Sequence, residues 1–273
     1  MEHHTNVNGP VEIGKGIYWV GALDADSEFS CHPYLIVDDD EVVLLDAGNR
    51  SDFPTVMMKI MQIGISPSQI TTLVYHHYDP DLCGSMQNVI GLCDNADLKI
   101  LSELYNISFL SFYLHKSSYH YLKTINDMQF ELPLKNRTLR FIATPYAHCC
   151  GSFVTYDEGS KILFSSDLFG SFLKTTELFN EIAPECYECL NYETCRYQHR
   201  VCPINEMLNF HRSVMPSGNA LAYAMKQIER LDIECIAPQH GHILTRKQDI
   251  DFMIGKLSRL DNVGIDGILN MPG

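Results

Sequence analysis

The segment Tyr75-His76-His77-Tyr78-Asp79-Pro80-Asp81-Leu82-Cys83-Gly84 sets an imidazole and two carboxylates at alternate positions, His77-x-Asp79-x-Asp81. In extended chain that spacing sends all three to one side. Pro80 ends the strand, so the spacing predicts a loop, closed by Gly84, that turns the donors toward one point. Carboxylates and an imidazole meeting at one point repel or desolvate one another unless a cation lies between them. The chemistry expected is metal ligation, with His77 as the ligand and His76 as a strand residue.

Three ligands rarely complete a site, and three further candidates follow apolar runs. His148 follows Leu139 to Ala143 through Thr144-Pro145-Tyr146-Ala147; Asp167 follows Ile162-Leu163-Phe164-Ser165-Ser166; His240 follows Ile236-Ala237-Pro238-Gln239 and precedes Gly241. Each alone is weak, since a single His or Asp after a strand is more often a turn or a helix cap. Four loops that all deliver His or Asp from the carboxyl end of a strand are a pattern.

The elements that must position them alternate in type. Strands are expected at Ile17 to Gly21, Tyr34 to Val37 and Val42 to Asp46, with a hairpin at Asp38-Asp39-Asp40. A helix at Pro54 to Gly64 leads to the strand Ile70 to Val74 and the first motif. Helical spacing at Ser85 to Cys93 and Glu103 to Leu114 flanks a short extended run, Lys99 to Leu101. Strands return at Leu139 to Ala143, Phe153 to Tyr156 and Lys161 to Phe164; Gly218 to Leu231 (helix), Cys235 to Ala237 (strand) and Lys247 to Leu257 (helix) follow. Mixed strands and helices in both halves predict α/β layers, and with no Pro/Gly/Ser-rich linker a single domain over residues 1–273 is expected.

Composition removes other classes. A formal charge of −14 on 273 residues disfavours nucleic acid or an anionic membrane as partner. No apolar run approaches the ~20 residues that span a bilayer, and no basic-then-apolar leader opens the chain, so a cytoplasmic protein is expected. Most of the ten cysteines are then expected to be small buried hydrophobes rather than disulfide staples.

The order His77-x-Asp79-x-Asp81-x-x-Gly84, His148, Asp167, His240-Gly241 resembles the metallo-β-lactamase fold from about Ile17 to Leu257. That resemblance implies a four-layer αββα sandwich with a dinuclear site along one edge. Hydrolases of the superfamily usually carry histidine where this chain has Asp79, and again where it has Leu82. A carboxylate at the first of these is the pattern of the flavodiiron proteins. Ser152-Phe153-Val154-Thr155-Tyr156-Asp157, Leu163 to Gly170 and Ile236 to Gly241 are similar to their text as well. The resemblance implies one iron on His77, Asp79 and His148, a second on Asp81 and His240, and Asp167 bridging them beside an oxo or hydroxo group.

Ligand chemistry points the same way independently. Zinc hydrolase sites favour nitrogen and sulfur, whereas added carboxylate shifts preference toward iron or manganese. Three aspartates against two divalent ions, with a bridging hydroxide, leave the site near neutral and ease oxidation of the metals. Leu82 removes a zinc ligand and is expected to wall the second metal with apolar surface, which suits a diatomic better than a phosphate or ester.

Flavodiiron proteins carry a flavodoxin domain with FMN, for which this sequence has no phosphate-binding loop; no FMN is expected. The chain is instead similar to the flavin-free oxygen-binding diiron proteins, proposed as O2 sensors coupled to bacterial chemotaxis. By that resemblance the partners are O2 or NO and a chemotaxis signalling protein or an external electron carrier; a homodimer is compatible with it. The rival readings are an O2 or NO reductase fed from outside, a metal-dependent hydrolase, and a signalling module whose metal is structural.

Cys186-x2-Cys189-x5-Cys195-x6-Cys202 marks a Cys-rich insertion at about 184–203, for which zinc or a disulfide pair is expected ahead of four free thiols. Cys149 follows His148 and is read as a buried small residue or as a redox partner of the metal. His32, Tyr78 and Tyr146 are candidates to hydrogen-bond a metal-bound oxygen, with packing as the alternative.

Overall fold

Alternating side chains dictate the layers. In β3 (Tyr34–Asp38) and β4 (Glu41–Leu45), Leu35, Val42 and Leu44 face one way while Tyr34, Ile36, Val43 and Leu45 face the other. Both sets are buried, so these strands must be covered on both faces. The computed structural model describes residues 5–23, 30–173, 177–189, 191–192, 194–195 and 202–270.

A seven-stranded sheet runs in chain order through β1 (Val11–Gly14), β2 (Ile17–Trp19), β3, β4, β5 (Thr72–Val74), β6 (Lys99–Ser102) and β7 (Leu122–Thr124). Pairing is antiparallel up to β4 and parallel from β4 onward. Asp39, at φ 62°, turns the hairpin between β3 and β4, as the aspartate run predicts. The second sheet has the order β12 (Cys235–Pro238), β11 (Ile162–Ser166), β10 (Phe153–Asp157), β9 (Thr138–Ala143), β8 (Glu131–Pro133). Only β11 and β12 pair in parallel there.

Three apolar cores separate four layers. Outside the first sheet lie α1 (Phe53–Gln62), α2 (Pro80–Cys83), α3 (Met86–Cys93) and α4 (Leu104–Leu110), packed through Val56, Ile60, Leu82, Val89 and Leu110. Between the sheets, Ile36, Val43, Leu45 and Val74 meet Phe141, Phe153, Phe164 and Ala237. Outside the second sheet, α5 (Pro203–Val214), α6 (Gly218–Ile228) and α7 (Lys247–Leu257) bury Met207, Phe210, Leu221, Met225, Ile250 and Ile254. Each such fully buried side chain contributes roughly 1.5–3 kcal/mol. This is the αββα sandwich that the resemblance to the metallo-β-lactamase fold implied.

Three local expectations change. Pro80 opens α2 instead of extending a loop, because proline suits the first helical turn, where its missing N–H is not needed. The helix expected to Leu114 ends at Leu110 and tightens into a 3-10 turn over Ser111–Tyr113. Helix α5 was not expected: its buried stripe, Ile204, Met207, Leu208 and His211, lies next to the cysteine run. Among the described residues no helix is long and apolar enough to cross a membrane.

Candidate metal centre

The carboxyl ends of β5, β9, β11 and β12 meet at one place, and the loops that leave them carry His77, His148, Asp167 and His240. Asp79 sits at the N-cap of α2 and Asp81 in its first turn, so both carboxylates are presented by a helix start. Around Asp167 the groups divide into two clusters. His148 Nε2 lies 3.1 Å from Asp167 Oδ2 and 3.4 Å from Asp79 Oδ2, with His77 Nε2 3.8 Å from Asp167 Oδ1. On the other side, His240 Nε2 lies 3.7 Å from Asp167 Oδ1 and 3.3 Å from Asp81 Oδ2. Ligand atoms of His77, His148 and Asp167 fall within 4.8 Å of one another; so do those of His77, Asp79 and Asp81, and those of Cys31, Asp81 and His240.

Charge shows what the cluster wants. Burial works against a charged Asp167, yet His77, His148 and His240 hold its carboxyl far below the usual carboxylate range. Burial likewise opposes a charged His240, but Asp81, Cys31 and Asp167 keep its imidazole well above the ordinary histidine value. His148 is raised in the same way, against burial, by Asp167, Asp79 and Asp81. Asp167 Oδ1 is buried without a hydrogen-bond partner. Such an oxygen costs free energy unless a donor or cation meets it. An oxygen-rich set that calls for positive charge on both sides of one carboxylate fits a pair of divalent cations.

Hydrogen bonds behind the cluster aim its nitrogens. His240 Nδ1 faces the carbonyl of Ser30 at 2.9 Å, which makes Nδ1 the protonated nitrogen and leaves Nε2 for the centre. His77 Nδ1 faces Ser166 Oγ at 3.1 Å, so its Nε2 also points inward. Residues that the sequence did not single out hold these loops. Buried Asp46 and His76 brace the first loop, Asn106 ties it to Gly151, and His211 Nε2 accepts from the N–H of Phe169, two residues past Asp167.

The other candidates fall elsewhere. His32 is fully buried; Trp19 Nε1–H donates to its Nδ1 at 2.8 Å, so its Nε2–H donates to the carbonyl of Gly241 at 2.8 Å. Burial pushes its imidazole down to about 3, a neutral ring that holds the His240 loop and has no proton to spare for a bound oxygen. Leu82 is turned by α2 into the core of the first layer, because successive helical residues diverge by about 100°. Tyr146 is 58% exposed beside Pro145, Tyr223 and Ile265 in a surface groove, which takes it away from a hydrogen bond at the centre. Tyr78 stacks on Phe109 with ring centroids 4.4 Å apart. Cys149 is buried, receives the Ser152 hydroxyl at 3.3 Å, and has its thiol pushed up to about 11 by burial, so it remains protonated.

The Cys-rich insertion forms no disulfide: Cys186, Cys189, Cys195 and Cys202 are all free thiols. Among the described residues no three of these sulfurs lie within 4.8 Å of one another, so the arrangement expected of a zinc knuckle is missing. Cys186 and Cys202 instead lean on the outer core of the second sheet. Residues 190, 193 and 196–201 of the insertion lie outside the described residues.

A four-layer sandwich with His and Asp converging beyond its strand ends defines a metallo-β-lactamase-fold protein. The chain belongs to the ODP family beta lactamase group, whose model matches residues 29–241. It is similar to the chemotaxis sensor ODP of T. denticola in its apo state, at 25% identity and TM-score 0.75, covering 96% of this chain and 97% of that one. A structure described as a peroxy diiron species of chemotaxis sensor ODP is 26% identical, with TM-score 0.73 over 96% and 98% of the two chains. A nitric oxide reductase of Moorella thermoacetica is 28% identical over 87% of this chain and 58% of its own length. The chain spans little more than half the length of the first curated relatives it matches, 56% and 58%.

Proposed function

We propose that the protein holds two iron ions and binds O2 at them, as a sensor in bacterial chemotaxis signalling. His77, Asp79 and His148 would hold one ion, Asp81 and His240 the other, and Asp167 would bridge. The observation that carries this reading is the sharing of Asp167, whose Oδ2 faces His148 while its Oδ1 faces both His77 and His240. Asp79, where a zinc hydrolase would offer imidazole, favours iron. Iron bound there would supply reversible one-electron chemistry toward a diatomic. The chain's own residues aim the imidazoles, keep the Cys149 thiol protonated and exclude bulk water from Asp167, which is 4% exposed.

The similarity to a chemotaxis sensor along nearly the full length of both chains supports sensing. The similarity to a nitric oxide reductase supports a second reading, reduction of O2 or NO with electrons from a separate carrier. Anaerobic protein loaded with iron(II) separates them. A lasting visible absorption change on admitting O2, with no sustained O2 uptake when reductant is added, is the sensor's result. Sustained turnover with a rubredoxin-type donor is the reductase's. Zinc in place of iron, with esterase activity and no response to O2, would sink both.

A further inference from the structure

We propose that the Cys31 thiolate is a ligand of the second metal, beside Asp81 and His240, a role that rests on the two-metal reading above. Cys31 is 4% exposed, and its Sγ shares a 4.8 Å cluster with a carboxylate oxygen of Asp81 and a nitrogen of His240. Donors around one four- or five-coordinate ion, each about 2.0–2.3 Å from it, stand that close to one another.

The thiol is held there by the chain on both sides of it. The His32 N–H donates to the carbonyl of Gln239 at 2.9 Å, His240 Nδ1–H donates to Ser30 at 2.9 Å, and His32 Nε2–H donates to Gly241 at 2.8 Å. These bonds lace Ser30-Cys31-His32 to Gln239-His240-Gly241 with Cys31 in the middle. From behind, the Cys31 carbonyl rests on Gly21, where a Cβ would stand 2.6 Å away. Cys31 therefore cannot drift from His240 without breaking the contacts that aim His240 itself.

The two halves of the centre are otherwise unequal. His77, Asp79 and His148 give the first ion three ligands of its own, whereas Asp81 and His240 give the second only two. Cys31 makes up the difference. On binding, the Sγ–H bond breaks, the sulfur lone pair goes to the metal and the proton leaves to solvent. With the three aspartates, the thiolate brings the side-chain ligand charge to −4, which balances two divalent ions without a bridging hydroxide.

Full-length protein is loaded anaerobically with iron(II), and in parallel with cobalt(II), and its metal content is measured. X-ray absorption should then show a sulfur shell at about 2.3 Å amounting to one sulfur per two metals. The cobalt form should show thiolate charge-transfer absorption in the near ultraviolet. Both signals should vanish in Cys31→Ser, which keeps the size of the side chain, and in Cys31→Ala, with at least one metal still bound. Two metals with no sulfur shell in the wild type, or a sulfur signal that persists in Cys31→Ser, would overturn the role of Cys31 and leave the two-metal reading standing. Protein that binds neither metal overturns both.

Discussion

Asp46 Oδ2 lies 2.5 Å from His76 Nδ1, both side chains buried, one residue ahead of His77. The other oxygen of Asp46 accepts the His76 N–H at 3.0 Å, and His76 Nε2 meets Thr155 Oγ1 at 2.8 Å. The residue read from sequence as an ordinary strand position thus ties the first motif to both sheets. Leaving a buried hydrogen-bonding group without its partner costs about 1–3 kcal/mol. Asp46→Ala is expected to lose that much in urea unfolding, and Asp46→Asn less. An unchanged midpoint in both would deny the brace.

Gly151 and Gly91 should respond in opposite directions to alanine. A Cβ on Gly151 would stand 2.3 Å from Asn106 Oδ1 and 2.9 Å from Glu103 Oε2, whereas one on Gly91 meets nothing within 4 Å. Asn106 cannot retreat easily, since its amide also reaches Ser102 Oγ and the carbonyl of His76. Gly151→Ala is expected to cost about 1–3 kcal/mol by overpacking. Gly91→Ala, inside α3, should add about 0.5–1 kcal/mol from helix propensity. Thermal melts of the two variants check the pair.

Acid should weaken the fold through His211. It is fully buried, with Nδ1–H donating to the Met207 carbonyl and Nε2 accepting from Phe169, and burial pushes it from 6.5 down to about 4. The unfolded chain takes up its proton as pH falls through about 6.5, while the folded chain does so only near 4. Stability is therefore full above about 6.5 and falls toward pH 4, by roughly 3 kcal/mol from this residue. His211→Gln should flatten that slope in unfolding curves taken across the interval; an identical slope would count against it.

Metal selection should follow the carboxylates. Asp167→Asn is expected to lower bound iron about tenfold or more at limiting metal, because both clusters lose their shared anion. Asp79→His should shift the metal recovered from mixed iron and zinc toward zinc. Elemental analysis after equilibration and desalting gives both answers.

All ten cysteines are free thiols, so denatured protein kept from oxidant should titrate ten equivalents without reductant. Eight or fewer would restore a disulfide to the insertion.

Much of this was readable from residue order because the signals are local. An apolar run followed by His or Asp marks a strand delivering a polar group to its carboxyl end, and His77, His148, Asp167 and His240 each follow one. The strands at β3 and β4 and the hairpin between them were legible too, but their burial on both faces came from the structure. Helix α5 escaped because its apolar stripe adjoins a run of cysteines that suggested a different structure. The disulfide expected there is absent and the zinc is without support among the described residues, because spacing alone does not bring sulfurs together and Cys186 and Cys202 pack against apolar side chains.

What the sequence offered by itself was α/β layers and a row of candidate donors, His77, Asp79, Asp81, His148, Asp167 and His240, since both rest on patterns a few residues long; the sandwich came through the family resemblance. Tertiary structure decided how the donors are shared. Asp167 faces two clusters only because β5, β9, β11 and β12 end at one place. Cys31 joins Asp81 and His240 only because backbone hydrogen bonds lace its segment to one some 209 residues away. Contacts between distant segments leave no periodicity in either one, and the packing of the two sheets creates them.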